Sequence, residues 1–316
     1  MTLLDLETRF ATDTACREYL SQLRWPNGFC CPRCRGSTAW STKRGLHVCA
    51  GCGHQASVTA GTIFQDARVP LTLWFRAVWW VTSQKYGANA LGLQRILGFG
   101  SYQTAWTLLH KLRRAMVRPD RERLAGSVEV DETFVGGVES GGGRRHIGKK
   151  ALVAIAAEVR GRGIGRIRMR RVLDSSAGSL LPFVQEAVEP GSTIITDGLQ
   201  SYRRLKEIGY AHDRRVILGS EESADEVMPR VHKVASLLKR WLLSTHQGGV
   251  SRQHIDYYLD EYTFRFNRRT SQYRGKLFYR LLEHAVAVEP APYSKLVRST
   301  GRGPRRKARP QPVDGT

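Results

Sequence analysis

Hydrophobic and polar positions fall into two kinds of pattern along this chain. The stretch "SVEVDETFVGG" alternates with period two, which sends Val128 and Val130 to one face of a strand and Glu129 and Asp131 to the other. Two more strands follow in the manner of a meander, "ALVAIAAEVRG" over 151–161 and "IGRIRMRRVLD" over 164–174. The spacing then becomes helical over about 177–188, and the apolar run Ile194-Ile195 ends at Thr196-Asp197-Gly198 as a short buried strand. A fifth strand is placed at "RRVILGS", residues 214–220, ahead of a helical segment that contains "VMPRVHKVASLLKRWLLSTHQGG".

Upstream, the pattern from Pro70 to Met116 has helical apolar spacing broken at Tyr86-Gly87 and at Gly98-Phe99-Gly100, so three helices are expected. The last begins near Ser101, with Trp106, Leu108, Leu109 and Leu112 as its buried positions and Lys111, Arg113 and Arg114 making its end basic. This suits a helix-turn-helix whose last helix enters a DNA major groove; an ordinary three-helix packing unit has the same pattern.

Composition changes the picture. Fifty Lys and Arg against 28 Asp and Glu give a formal net charge of +22, while 41% hydrophobic residues and seven Trp provide for real cores. Such a chain folds, and its natural partner is a polyanion, nucleic acid before membrane. No apolar run is long enough to span a bilayer, and the N-terminus has neither the basic nor the apolar region of a secretory signal. A cytoplasmic, nucleoid-associated protein is expected.

Five of the six cysteines lie between positions 30 and 52. Cys31, Cys34, Cys49 and Cys52 make two C-x2-C pairs with 14 residues between them, the spacing of four thiolates around one tetrahedral Zn2+. Gly36 and Gly53 help the chain fold back over the metal, and Cys16 has the setting of a buried small hydrophobe. A closed four-thiolate site has no open coordination position, so it is structural and chemistry must lie elsewhere.

Three strands, a helix and a strand ending on an acid is the order of an RNase H-like sheet, in which the first and fourth strands are neighbours. Asp131 and Asp197, 66 residues apart, then converge. Two close carboxylates repel unless a cation lies between them, and two Mg2+ or Mn2+ ions would clamp a phosphodiester there. The helix after the fifth strand offers His232 and, seven residues on, Lys239 on the same face, fit for a metal ligand and a phosphate contact. A helix cap and a surface lysine are the plain alternatives.

Read together, "CPRC", "CAGC", "TAGTIF", "GSYQTAW", "VEVDETFVGG", "TDG" followed by "SY", "VHKVASLLKRWLLSTHQGGVS" and "YLDEYTFRFNRR" are similar in order and content to a known family. The chain resembles bacterial insertion-sequence transposases that join an N-terminal zinc ribbon to an ISXO-type DDE domain, over roughly residues 15–290. The resemblance implies metal-dependent hydrolysis and strand transfer at element ends. Asp131 and Asp197 match the first two acids, and His232 with Lys239 match the variant in which His replaces the third, usually Glu. With His in the ligand set, Mn2+ is expected to serve at least as well as Mg2+. If His232 is not a direct ligand, Asp225, Glu226 or Asp174 are the fallbacks.

The expected organisation is an N-terminal segment with zinc ribbon (1–62), a helix-turn-helix-like region (63–120), an RNase H-like mixed sheet with flanking helices (121–290) and a basic disordered tail (291–316). Double-stranded DNA, as terminal inverted repeats and as target, is the expected partner. Its contacts are placed at Lys111, Arg113, Arg114, Lys239, Arg240, Arg265, Arg268 and Arg269, and the glycine-rich basic stretch "GGGRRHIGKK" is either a DNA-contacting segment or a plain loop. Pairing two ends implies a homodimer or larger complex. Two other classes remain: a DNA-binding regulator whose sheet domain is inactive, and a structure-specific DNA nuclease.

Overall fold

The computed structural model describes residues 1–118, 121–136, 150–215, 224–273 and 275–297. In chain order its elements are α1 (Leu3–Arg9), α2 (Asp13–Arg24), β1 (Ala39–Ser41), β2 (Leu46–Cys49), β3 (Gln55–Ser57), α3 (Leu71–Ser83), α4 (Ala90–Leu97), α5 (Tyr102–Ala115) and β4 (Ser127–Val135). There follow β5 (Ala151–Arg160), β6 (Gly163–Val172), α6 (Ala177–Ala187), β7 (Thr193–Thr196), a 3-10 helical run (Gln200–Ile208) and β8 (Ala211–Arg214). The chain ends in α7 (Ala224–Val227), α8 (Pro229–His246), α9 (Ile255–Phe266), α10 (Gly275–Ala287) and α11 (Tyr293–Val297). No helix among the described residues is long and apolar enough to cross a membrane.

Two compact units divide these elements. The first takes residues 1–118 together with 271–297. Local punctuation builds its helices: the Asn89 side chain accepts the Gly92 amide at 2.7 Å to start α4, Gly98 ends it in the left-handed region (φ 66°), and the Ser101 hydroxyl accepts the Gln103 amide to start α5. An aromatic core joins helices far apart in sequence, with the Phe10 ring 4.7 Å from Phe75 and 5.8 Å from Phe278. Helix α10 buries Phe278, Leu281, Leu282 and Ala285, an i, i+3, i+4, i+7 stripe, and His284 bonds through Nδ1 to the Ala115 carbonyl at 3.1 Å.

The second unit is a five-stranded sheet in the order β6-β5-β4-β7-β8, antiparallel on the β6, β5, β4 side and parallel from β4 through β7 to β8. This is the RNase H-like arrangement, with the first and fourth strands side by side. Residues 151–157 of β5 are buried without a break because both faces of the sheet are covered. Val128, Val130, Ala154, Ala156 and Ile194 pack with α6 and the 3-10 run, and Val153, Ile155, Ile167 and Ile195 with α8 and α9. On the edge strand β6, the Asn267 side chain accepts the Ile167 amide at 2.7 Å and donates to its carbonyl at 3.1 Å, taking the place of a further strand.

Three expectations are corrected. The fifth strand is Ala211–Arg214, earlier than 214–220; residues 216–220 lie outside the described ones. The segment 275–287 packs in the first unit and not on the sheet, because Phe278 completes the Phe10–Phe75 cluster. The ordered chain also runs past 290: Ala291 and Leu296 are both fully buried, so a disordered tail cannot begin at 291. The stretch 141–149 and residues 298–316 lie outside the described residues.

Candidate active site and zinc centre

The four ribbon sulfurs all lie within 4.8 Å of one another, with Cys31–Cys52 at 3.7 Å and Cys34–Cys49 at 3.5 Å. Sulfurs at the corners of a tetrahedron with Zn–S near 2.3 Å are about 3.8 Å apart, and a disulfide would bring a pair to about 2 Å. The two knuckles repeat one backbone form. Arg35 and Gly53, each just after a second cysteine, have φ of 63° and 67°, and their amides return to the Cys31 and Cys49 carbonyls at 2.9 Å. A Cβ on Gly36 would stand 3.5 Å from both Cys34 Sγ and Cys49 Sγ, so the glycine lets the chain pass close over the sulfurs. The ribbon fits a structural Zn2+ held by Cys31, Cys34, Cys49 and Cys52.

Parallel pairing builds the second site. The register Ser127↔Thr193, Val128↔Ile194, Glu129↔Ile195, carried on by two residues, sets Asp131 level with Asp197. Adjacent strands lie about 4.8 Å apart, so the two acids are neighbours on one face. Asp197 sits one residue past β7, where its Oδ1 accepts the Leu199 amide at 3.0 Å and shapes the turn. From above this face, the first turn of α8 brings His232 Nε2 to 3.4 Å from Asp131 Oδ2, with about a quarter of each side chain exposed. Burial raises the Asp131 carboxyl above the ordinary aspartate range and the Asp197 charge adds to this; the Glu132 amide, His232 and Lys239 oppose it. Among the described residues the four cysteines are the one group of three or more ligand side chains close enough together to hold a metal ion as they stand; Asp131, Asp197 and His232 are a more open set, fixed by strand register and one helix.

Glu132, which sequence reasoning passed over, faces the opposite side of β4, where the fully buried Tyr202 donates its hydroxyl to Glu132 Oε2 at 3.0 Å. Burial pushes the Glu132 carboxyl up to about 7, with the charges of Asp131 and Asp197 adding to the effect. The signal was in the strand alternation, which puts Glu132 with Val128 and Val130. Of the fallback ligands, Asp174 is engaged by Ser176 and Ser179 at the start of α6, Glu226 is exposed, and the side chain of Asp225 lies outside the described residues.

The basic residues separate into two groups. Lys111 and Arg113 are corrected: they are 7% and 1% exposed, Lys111 Nζ donates to the Gln65 carbonyl at 3.3 Å, and an Arg113 guanidinium nitrogen donates to the Ala88 carbonyl at 3.3 Å. Both hold the first unit together and present no face to DNA. Arg265 is tied to the buried Glu261 at 2.8 Å. Arg268 and Arg269 stack on Phe264 and Phe266 at 4.2 and 4.0 Å, and Arg269 also donates to the Gly165 and Ile164 carbonyls of β6. Arg114 is half-buried, whereas Lys239 and Arg240 are exposed on α8, on the helix that carries His232.

An RNase H-like sheet behind a four-cysteine ribbon is the domain order of a transposase with a DDE-type domain. Residues 123–267 match the family model of the ISXO2-like transposase domain, and residues 11–55 that of the transposase zinc-ribbon domain. The chain therefore belongs to the insertion-sequence transposases that join these two domains. It is 27% identical over 277 residues to an uncharacterized protein in transposable element ISH50 of Halobacterium salinarum, across 81% of this chain and 91% of that protein. Similar solved structures are the Mos1 strand transfer complex (14% identity, 72% of this chain, 78% of that one, TM-score 0.31) and a pre-cleavage Mos1 transpososome (14%, 72%, 79%, TM-score 0.29).

Proposed function

We propose that this transposase binds the ends of its own element as a dimer or larger complex, cuts there by hydrolysis and joins the freed 3′-OH to target DNA. The single observation that supports this most is the meeting of Asp131, Asp197 and His232 on one face, with the exposed Lys239 acting on the same carboxylate. Asp131, Asp197 and His232 would hold Mg2+ or Mn2+, which when bound supplies charge stabilisation to attacking and leaving oxygens. Lys239, about 10 Å along the helix from His232, offers an ammonium to a phosphate oxygen of the strand being cut. In the first step water oxygen bonds to phosphorus, the P–O3′ bond breaks and the 3′ oxygen takes up a proton. In the second that hydroxyl attacks a target phosphodiester, and no covalent protein intermediate forms. Arg240 adds sequence-independent phosphate contact, and the first unit, with its ribbon and the exposed N-terminal turn of α5, is the reader of the terminal repeats.

The test is incubation of the protein with labelled DNA carrying its element end, in Mg2+, Mn2+ or EDTA, beside D131A. Metal-dependent nicking at the end that D131A lacks, with Mn2+ at least as effective as Mg2+, is expected. End binding without a cut in either metal would replace this reading with a regulator; a preference for branched junctions over linear ends would replace it with a nuclease.

A further inference from the structure

Glu129 lies two residues before Asp131 on the same face of β4, and its side chain is fully buried, at 0% exposure. A carboxylate so placed is heavily penalised unless its oxygens are matched. They are matched by the start of α8: Glu129 Oε2 accepts the backbone amides of Arg230 and Val231, both at 2.8 Å, and Oε1 accepts the Arg230 guanidinium at 2.9 Å. Arg230 continues to the carbonyls of Gly163, the first residue of β6, at 3.1 Å and of Gly161, in the turn before it, at 2.6 Å. Helix α8 has no cap of its own, since Met228 at the N-cap makes no side-chain bond, so its free amides are satisfied from a neighbouring strand.

His232 is the very next residue after Val231. One carboxylate thus joins position 129 of the strand to positions 230 and 231 of the helix, and sets position 131 against position 232. Apolar packing by Val231, Val234 and Leu238 holds α8 on the sheet but is not directional; three hydrogen bonds of fixed geometry are. We propose that Glu129 is a positioning residue of the active site, the clamp that sets the height and rotation of α8 so that His232 faces Asp131. Its catalytic consequence rests on the function proposed above; the geometric claim does not.

Two readouts test it in E129Q, which keeps the side-chain size but loses the charge and one acceptor. The first is joining of the double variant D131C/H232C by a short bifunctional thiol cross-linker, followed by mass spectrometry of the linked peptides; adding E129Q is expected to slow it about tenfold, the effect of losing one charge-assisted hydrogen bond. The second is the Mn2+ concentration giving half-maximal cutting, expected to rise about 10- to 100-fold while end binding is kept. Should E129Q fail to fold, R230A, which leaves both amide bonds, is read out the same way with a smaller shift expected. Lower thermal stability with an unchanged cross-linking rate and an unchanged Mn2+ midpoint would overturn the proposal and leave Glu129 a structural cap. Slowed cross-linking in a protein that never cuts DNA would support the clamp and sink the catalytic reading alone.

Discussion

The zinc ribbon and the proposed active site of this transposase are built on opposite principles. In the ribbon, strands of three or four residues enclose almost no apolar core, and the buried centre is the sulfur of Cys31 and Cys49 themselves. In the RNase H-like unit, a nine-residue strand is flanked on both sides, two apolar clusters close over its faces, and the acids project from a frame already complete. By this contrast the ribbon is expected to need its ion to fold, and the sheet is expected to bring a folded frame to an ion. A closed ligand set without another core marks structure; an open set on a rigid sheet marks chemistry.

Zinc removal should separate the two most strongly. Structural zinc contributes about 10–16 kcal/mol in small zinc domains at neutral pH. Chelation, or C49S, is expected to release one zinc per chain and to expose residues 11–57 to protease while β4–β8 stay protected; equal loss of both would break the contrast. F278A comes next, with a cost of about 3–5 kcal/mol to the first unit, seen as a lower denaturant midpoint. If it instead loosened the sheet, the reassignment of α10 would be wrong. D131A and D197A should each lower metal-dependent cutting by more than about 10²-fold with thermal unfolding unchanged. The smallest effects distinguish the two kinds of arginine. R240A is expected to weaken DNA binding uniformly across sequences and to reduce the slope of log affinity against log salt by about 1, whereas R113A, which removes a buried donor, costs about 1–3 kcal/mol of stability.

Much of the candidate site's placement was legible in the sequence because period-two alternation and cysteine spacing are local signals. Val128, Glu129, Val130 and Asp131 declare which acids share a face, and C-x2-C twice declares the ribbon. The division of labour between Glu129 and Asp131 was not legible. Both face α8, and only the position of the helix start makes one a clamp and the other a partner of His232. Lys111 and Arg113 read as a basic surface because their own helix says nothing of Gln65 and Ala88, the residues whose carbonyls they reach. Helix α10 misled for the same reason: an amphipathic stripe of Phe278, Leu281 and Leu282 would fit either unit, and the choice is made by Phe10 and Phe75, more than 200 residues earlier.

The most direct measurement is a crystal of the protein soaked in Mn2+ and recorded at a wavelength where manganese scatters anomalously. A manganese peak bounded by Asp131, Asp197 and His232, with the ribbon peak remaining zinc, is the expected result. Manganese bound by the two aspartates with His232 turned away, or absent from this face altogether, would contradict the claim that the helix and the two central strands form one metal site.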